Sequence, residues 1–144
     1  MFEYKGKVVA VTGASSGLGR QMALTFADQG ADLVVMARRI ERLEELKDEI
    51  EKKGVRCLPL KCDVTDTDMI NDCAKKAIDT FGKVDVLVNN AGSSKGGAVY
   101  EMTDEAWEFT IDTDLTSVFK VTRAFSKHMV DRGYGRIINI ASMY

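Results

Sequence analysis

Cysteine, proline and histidine are scarce in this 144-residue sequence, and their scarcity excludes several kinds of protein. The three cysteines, Cys57, Cys62 and Cys73, are odd in number and form no C-x-x-C pair. We therefore expect neither a disulfide framework nor a zinc site, but reduced thiols of the kind found in cytoplasmic proteins. The acidic stretch 63–68 lacks the glycine and the glutamate of a calcium loop, so no metal site is predicted.

Charge and hydropathy exclude two classes of partner. The 20 basic residues are balanced by 22 acidic ones, and a net charge of −2 gives no basic footprint for nucleic acid. No apolar run approaches the roughly 18 residues of a membrane helix, and the N-terminus lacks the apolar core of a secretion signal. We expect one cytoplasmic domain over residues 1–144, because no linker or internal repeat divides the chain.

Buried-strand patterns alternate with helical ones along the whole chain. The helical patterns cover 16–29, 38–54, 65–82 and 103–133, with Thr65 and Thr103 as predicted caps and Gly82 and Gly133 as predicted ends. This alternation predicts an α/β fold, a Rossmann-type doubly wound parallel sheet with helices on both faces. Pro59 lacks an N–H and favours an edge position, which agrees with strand order 3-2-1-4-5. The predicted strands are 7–12, 31–37, 55–63, 83–92 and 135–142.

The stretch TGASSGLG (12–19) joins the first strand to the first helix. Its glycines allow a tight turn, close approach of the backbone to a ligand and close helix packing. The N-terminus of the following helix offers free N–H groups and the positive end of the helix dipole to a pyrophosphate. The candidate phosphate-binding residues are Gly13, Ser15, Ser16, Gly17, Leu18 and Gly19.

The spacing TG-x3-G-x-G resembles the phosphate loop of the short-chain dehydrogenase/reductase family. The segments CDVTD (62–66), NNAG (89–92), DLTSVF (114–119) and GRIINIAS (135–142) extend the resemblance over the whole chain. The resemblance implies that Asp63 accepts a hydrogen bond from the adenine amino group and that Val64 contributes backbone contact. It also implies that Asn90, Ala91 and Gly92 line the ribose side of the cofactor. From the residues alone, Asp63 could instead cap a helix.

The end of the second strand bears on the choice of nicotinamide cofactor. An NAD enzyme of this type has a carboxylate there for the ribose 2′-hydroxyl, but Ala37 stands at that position and is followed by Arg38 and Arg39. A guanidinium suits a 2′-phosphate, so the sequence favours NADP(H) over NAD(H). The alternative is that both arginines belong to the solvated first turn of the second helix.

The resemblance also implies hydride transfer between a nicotinamide and an alcohol or carbonyl. In the family a tyrosine acts as acid/base, a lysine four residues later lowers its pKa, a serine orients the carbonyl, and an asparagine holds a water in the proton relay. Ser142 matches the serine, whereas Asp114 stands in the usual asparagine position and can accept but not donate when ionised. No tyrosine has a lysine four residues later, and Tyr144 is the last residue. We therefore expect a domain that is incomplete at its C-terminus and a chain that is inactive.

Two hypotheses follow from these patterns. The first is the cofactor-binding part of an NADP(H)-dependent oxidoreductase that interconverts a small alcohol and a carbonyl. The second is a nucleotide-binding or interaction module without catalysis. A phosphoacceptor domain shares the strand order, but Thr12 and Gly13 replace the acidic residues it needs for magnesium. The unpaired edge of the fifth strand also predicts a homo-oligomer or an aggregate.

Overall fold

A computed structural model describes residues 3–142 and contains one parallel sheet surrounded by helices. Tyr144, the last residue of the sequence, lies outside the described residues. Within the described range the strands are β1 (Val8–Thr12), β2 (Asp32–Ala37), β3 (Cys57–Lys61), β4 (Val86–Asn89) and β5 (Arg136–Asn139). The α-helices are α1 (Gly17–Asp28), α2 (Ile40–Glu51), α3 (Thr67–Phe81), α4 (Asp104–Ile111) and α5 (Ser117–Arg132).

The strand order is β3-β2-β1-β4-β5, and every neighbouring pair is parallel, as predicted. Central strand β1 places Val9 beside Leu33 of β2 and Val86 of β4. Edge strand β3 carries Pro59, which pairs with Val35. The proline is tolerated because an edge strand has a neighbour on one side only.

Alternate residues of the strands face two separate cores. On one face, Val8 packs with Ile70 of α3 and Phe125 of α5. On the other face, Val9 packs with side chains of α1 and α2, including Leu46. All five residues of β1 are buried, as the continuous apolar run predicts for a strand covered on both sides. The carboxyl ends of the strands are consequently the part of the sheet where a ligand can enter.

The glycine ends predicted for α3 and α5 are confirmed, whereas α2 (Ile40–Glu51) is shorter than the predicted 38–54 and the N-cap of α3 differs from the prediction. Gly82 and Gly133 end α3 and α5 in the left-handed conformation, with φ of 74° and 68°. The N-cap of α3 is Asp66, which accepts a hydrogen bond from Met69 N at 3.0 Å, and not the predicted Thr65. The reason is that the Thr65 hydroxyl donates to Asp63 Oδ1 at 2.7 Å and is therefore held in the preceding turn.

The single long helix predicted from Thr103 to Gly133 is interrupted. Thr103 caps α4 by accepting from Ala106 N, but a π-helical turn, Asp112–Thr116, separates α4 from α5. The Ser117 hydroxyl donates to the carbonyl of Thr113 and so bonds back into this turn. Side chains that bond to the preceding turn disturb the regular ladder, and π-turns inside helices are frequent at functional sites.

The amino ends of the strands are held together by Asp85, which is 1% exposed. Its carboxylate accepts from Val8 N at 2.9 Å and lies 3.1 Å from both Lys83 Nζ and Arg132 Nη2. At the edge of the sheet, all four residues of β5 are exposed. Between residues 3 and 142, no helix combines the length and apolar character required to cross a membrane.

Candidate functional site

The loop between β1 and α1 forms one wall of the candidate site. Gly13 has φ of +65°, and a Cβ atom there would lie 2.8 Å from Ala91 Cα. A Cβ atom on Gly19 would lie 2.3 Å from the Gly13 oxygen. A larger residue at position 13 would push the loop away from the residues that follow β4. A larger residue at position 19 would push α1 away from the loop. The sequence therefore needs glycine here for close packing, as the pattern predicts.

The first turn of α1 is open to an anion. Ser16 is the N-cap residue, but its side chain makes no capping hydrogen bond, and the first turn contains no acidic residue. Leu18 is 69% exposed in this turn. The N–H groups of a first helical turn have no partner within the helix. Together with the helix dipole they suit a phosphate group.

Thr12, at the end of β1, joins the loop to the end of β4. Its hydroxyl oxygen accepts hydrogen bonds from Asn90 N and Ala91 N, both at 3.0 Å. The Asn90 side chain donates in return to Thr12 O at 3.1 Å and to Gly13 O at 3.3 Å. Sequence reasoning missed Thr12 as a positioning residue because its partners lie 78 and 79 residues away.

The end of β2 presents two cations to the same region. Arg38 and Arg39 are exposed, and Arg39 Nη2 donates to the Ser15 hydroxyl at 3.4 Å. Ala37, which precedes them, is buried. The candidate phosphate-binding loop and Arg39, which the sequence suggested separately, are thus in contact.

Asp63, just after β3, is held by the backbone that follows it. Its Oδ1 atom accepts from Thr65 N at 2.9 Å and from the Thr65 hydroxyl at 2.7 Å. These two bonds, the backbone one foremost, hold the pKa of Asp63 below its usual range. Asp63 is therefore a fixed carboxylate near neutral pH, and it is not the cap of α3.

The π-helical turn faces the loop after β4. Asp114 Oδ1 accepts from Ser93 N at 2.7 Å, and a Cβ atom on Gly92 would lie 3.2 Å from the same oxygen. The Asp114 side chain thus acts as an acceptor that anchors the loop. Thr113, next to it, is buried with no hydrogen-bond partner for its hydroxyl oxygen within residues 3–142.

A cavity of about 450 Å³ unites these segments. Of the predicted residues, Gly17, Leu18, Gly19, Asp114 and Ser142 do not line it. Gly19 and Asp114 instead support residues that do, and Ser142 is an exposed residue past the end of β5. The lining combines predicted residues with several that the sequence did not single out: Gly13, Ser15, Ser16, Ala37, Arg38, Arg39, Cys62, Asp63, Val64, Thr65, Asn90, Ala91, Gly92, Ser93, Phe109, Asp112 and Thr113.

Comparison with known proteins assigns the chain to a family. The short chain dehydrogenase family model matches residues 7–144, which is nearly the whole sequence. This chain belongs to the short-chain dehydrogenase family. The chain spans about half the length of the family members it matches. It is 38% identical to the (2S)-[(R)-hydroxy(phenyl)methyl]succinyl-CoA dehydrogenase subunit of Thauera aromatica, with 96% of this chain and 56% of the relative covered.

Solved structures of other short-chain dehydrogenases have the same fold. A variant of actinorhodin polyketide ketoreductase with NADPH is 41% identical with a TM-score of 0.90, covering 94% of this chain and 53% of that one. An NAD+-bound xylitol dehydrogenase is 32% identical with a TM-score of 0.95, covering 99% of this chain and 55% of that one. The Rossmann-type fold is therefore confirmed. The two relatives differ in cofactor, so similarity alone does not select one.

Proposed function

We propose that this chain is the dinucleotide-binding part of an NADP(H)-dependent oxidoreductase that interconverts an alcohol and a carbonyl by hydride transfer. The observation that carries the proposal is the single cavity shared by the phosphate loop, the two arginines after β2 and the segments after β3 and β4. All of them lie at the carboxyl ends of the strands, where open α/β sheets bind ligands. The proposed dinucleotide-binding domain occupies residues 1–144, in a protein whose further residues complete the active site.

The donor set of the cavity fits a dinucleotide. The uncapped first turn of α1 and the hydroxyls of Ser15 and Ser16 would hold the pyrophosphate. The carboxylate of Asp63 would accept from the adenine amino group, and Val64 would add backbone contact. Asn90, Ala91 and Gly92 would line the ribose. In this assignment the buried hydroxyl of Thr113, which lines the cavity, would gain a ligand partner.

The preference for NADP(H) rests on Arg38 and Arg39. Both arginines line the cavity, and Ala37 places no carboxylate beside them. A 2′-phosphate would accept charge-assisted hydrogen bonds from either arginine, while a 2′-hydroxyl would gain little.

This preference is tested by titrating the protein with NADPH and with NADH, following the fluorescence of the reduced nicotinamide. Arg38→Ala and Arg39→Ala should each weaken NADPH binding roughly tenfold, the usual cost of one charge-assisted hydrogen bond, and should change NADH binding less than twofold. Arg42→Ala is the matched control, because Arg42 is exposed in the first turn of α2, just after the two arginines, but does not line the cavity. Equal losses for both nucleotides would overturn the preference.

Bound NADPH would supply a hydride to a carbonyl carbon. Ser142 is assigned the orientation of that carbonyl, and Asp114 the anchoring of the loop after β4, which it holds through Ser93. In the family, a tyrosine with a lysine four residues later would donate the proton to the carbonyl oxygen. No tyrosine in this sequence has such a lysine. We therefore expect the 144-residue polypeptide to bind cofactor without oxidising it in the presence of any carbonyl compound. Turnover with a carbonyl substrate would overturn this expectation.

A second candidate is a nucleotide-binding or interaction module without catalysis, since the cavity described above would serve nucleotide binding alone. The two candidates differ when the chain is extended by the segment that follows position 144 in its coding sequence. NADPH oxidation by the extended protein supports the oxidoreductase. Nucleotide binding without oxidation, across a panel of ketones and aldehydes, supports the module.

Two further properties belong to the proposal. A homo-oligomer is supported by the edge of the sheet at β5 within residues 3–142, where Ile137 and Ile138 of the strand and Ile140 just after it are each about two-fifths exposed. Light scattering at tens of micromolar should give a dimer or larger species, and a monomer would contradict it. A cytoplasmic location is supported by three unpaired thiols, and fractionation of expressing cells tests it.

A further inference from the structure

Two of the three cysteines lie next to each other behind the candidate site. Cys62 directly follows β3, and Cys73 lies in the middle of α3. Each is 3% exposed, and both belong to the core on the same face of the sheet. The Cys73 thiol donates to the carbonyl of Lys61 at 3.4 Å, and Lys61 is the residue bonded to Cys62. The side chain of Cys73 therefore lies against the backbone that leads into Cys62, eleven positions earlier in the sequence.

The two sulfurs also influence each other. The hydrogen bond between them raises the pKa of Cys62 above its usual range and lowers that of Cys73. The two thiols therefore titrate as one interacting pair. Two neighbouring thiols can oxidise reversibly to a disulfide by way of a sulfenic acid.

Cys62 connects this pair to the cavity. It lines the cavity and its N–H donates to Ala37 O at 2.9 Å, so it ties the ends of β3 and β2 together. Asp63 follows it directly. A change in the position of Cys62 is therefore transmitted to the proposed adenine partner through one peptide bond.

We propose that Cys62 and Cys73 are a modification site, an oxidisable dithiol that closes to an intramolecular disulfide and thereby weakens nucleotide binding. The oxidant is a peroxide, which is little larger than water and can reach the pair through the cavity that Cys62 lines. The disulfide itself is independent of the proposed function, and only the effect on nucleotide binding rests on it.

The chemistry needs one peroxide per disulfide. The thiolate of one cysteine attacks one oxygen of hydrogen peroxide, the O–O bond breaks, and the departing hydroxide takes up a proton to become water. The sulfur of the other cysteine then attacks the resulting sulfenic acid, forming the S–S bond and releasing a second water with its own proton. Two thiols have been oxidised by two electrons and the peroxide reduced by two. The S–S distance falls to about 2.0 Å, which draws Cys62 toward α3.

Cys57 supplies an internal control. It belongs to the core on the opposite face of the sheet, away from the other two thiols. Burial raises the pKa of its thiol to about 12, so almost no thiolate is present near neutral pH. Peroxide should leave it unmodified while the dithiol reacts.

The disulfide is tested by peptide mapping of the unaltered protein. After peroxide treatment in native buffer, the protein is unfolded, alkylated with iodoacetamide and cleaved with trypsin. Lys61 and Lys75 place both cysteines in one peptide, 62–75, and Cys57 in another, 57–61. We expect peptide 62–75 to lose the mass of two hydrogens and both alkylations, and peptide 57–61 to remain alkylated. Two alkylations on 62–75, or sulfinic acid without the disulfide, would overturn the proposal.

Single variants separate the disulfide from general oxidation. Cys73→Ser and Cys62→Ser should show no loss of two hydrogens, whereas Cys57→Ser should behave like the parent protein. The parent protein should bind NADPH roughly fivefold more weakly after peroxide, the loss expected for one misaligned hydrogen bond, and dithiothreitol should restore binding. Cys73→Ser should bind NADPH equally before and after peroxide.

The two parts of the proposal fail in different ways. If the disulfide forms and the affinity for NADPH is unchanged, the coupling of the dithiol to the cavity is wrong. If the reduced protein binds no nicotinamide dinucleotide, the proposed function is wrong, and the mass of peptide 62–75 still decides whether the dithiol closes.

Discussion

Replacing Asp85 by alanine should destabilise the protein by about 4 kcal/mol, because Asp85 holds the amino ends of the sheet together. The residue is 1% exposed and its carboxylate accepts from Val8 N at 2.9 Å. Its own N–H donates to Val8 O, and its carbonyl accepts from Arg136 N at 3.0 Å. The side chain thus binds β1 at the point where β1, β4 and β5 start.

The magnitude follows from three contacts. Alanine would leave the Val8 N–H buried without a partner, which costs about 2 kcal/mol. Lys83 and Arg132 would each lose an ionic contact of 3.1 Å. Their side chains are 32% and 29% exposed, so water partly replaces the carboxylate, and each loss is limited to about 1 kcal/mol. The total is a large part of the 5–15 kcal/mol that stabilises an ordinary domain.

The assay is urea denaturation at pH 7, followed by circular dichroism. Asp79→Ala is the matched control, because Asp79 pairs with Lys75 on the exposed face of α3 and should matter by less than about 0.5 kcal/mol. If the two variants lost equal stability, the assignment of Asp85 as a buried structural charge would be wrong.

The pH dependence gives a second check on Asp85. Burial alone would raise the pKa of its carboxyl, but the bonds from Val8, Lys83 and Arg132 hold the pKa below its usual range. Its stabilising effect is therefore full above the unfolded-state pKa of about 4 and is lost as the pH falls through the lower folded-state value. The parent protein should lose stability in that window, and Asp85→Ala should lose less. Parallel losses would contradict the argument.

Three further changes test the candidate site. Gly19→Ala places a Cβ atom 2.3 Å from the Gly13 oxygen, so it should lower the free energy of unfolding by more than about 2 kcal/mol and abolish NADPH binding. Gly96→Ala is the control and should do neither, because no atom lies within 4 Å of a Cβ atom there. Thr12→Val keeps the side-chain volume but removes the hydroxyl oxygen that accepts from Asn90 N and Ala91 N. Urea denaturation should show a loss of about 1–3 kcal/mol in the free energy of unfolding, and an unchanged midpoint would refute the role of Thr12 in joining β1 to the loop after β4. Asp114→Asn keeps an acceptor for Ser93 N and should change stability by less than about 0.5 kcal/mol, whereas Asp114→Leu should lose about 1 kcal/mol in the same assay.

The fold could be predicted because its signals are local. Buried runs, glycine helix ends and one proline are each read within a few residues, and Pro59 alone separates an edge strand from a central one. Part of the cavity lining was predictable for the same reason, since four of its segments directly follow strands, whereas Phe109, Asp112 and Thr113 lie in α4 and the π-helical turn.

The parts that could not be predicted depend on distant contacts. Thr12 supports Asn90 across 78 positions, Asp85 reaches Val8 across 77, and Cys62 meets Cys73 only after α3 has packed on the sheet. The π-helical turn is a departure of one residue inside a regular helical pattern, and hydrophobic periodicity does not detect it. The N-cap of α3 is Asp66 rather than the predicted Thr65, because the Thr65 hydroxyl donates a hydrogen bond to Asp63.

The two edges of the sheet are chemically unequal. Strand β3 interrupts its row of donors at Pro59, so an incoming strand cannot form a continuous ladder there. Strand β5 has no proline and exposes all four of its residues. Of these two edges within residues 3–142, β5 therefore offers the uninterrupted backbone on which another strand can pair. An added strand tethered near β3 would meet the missing donor at Pro59.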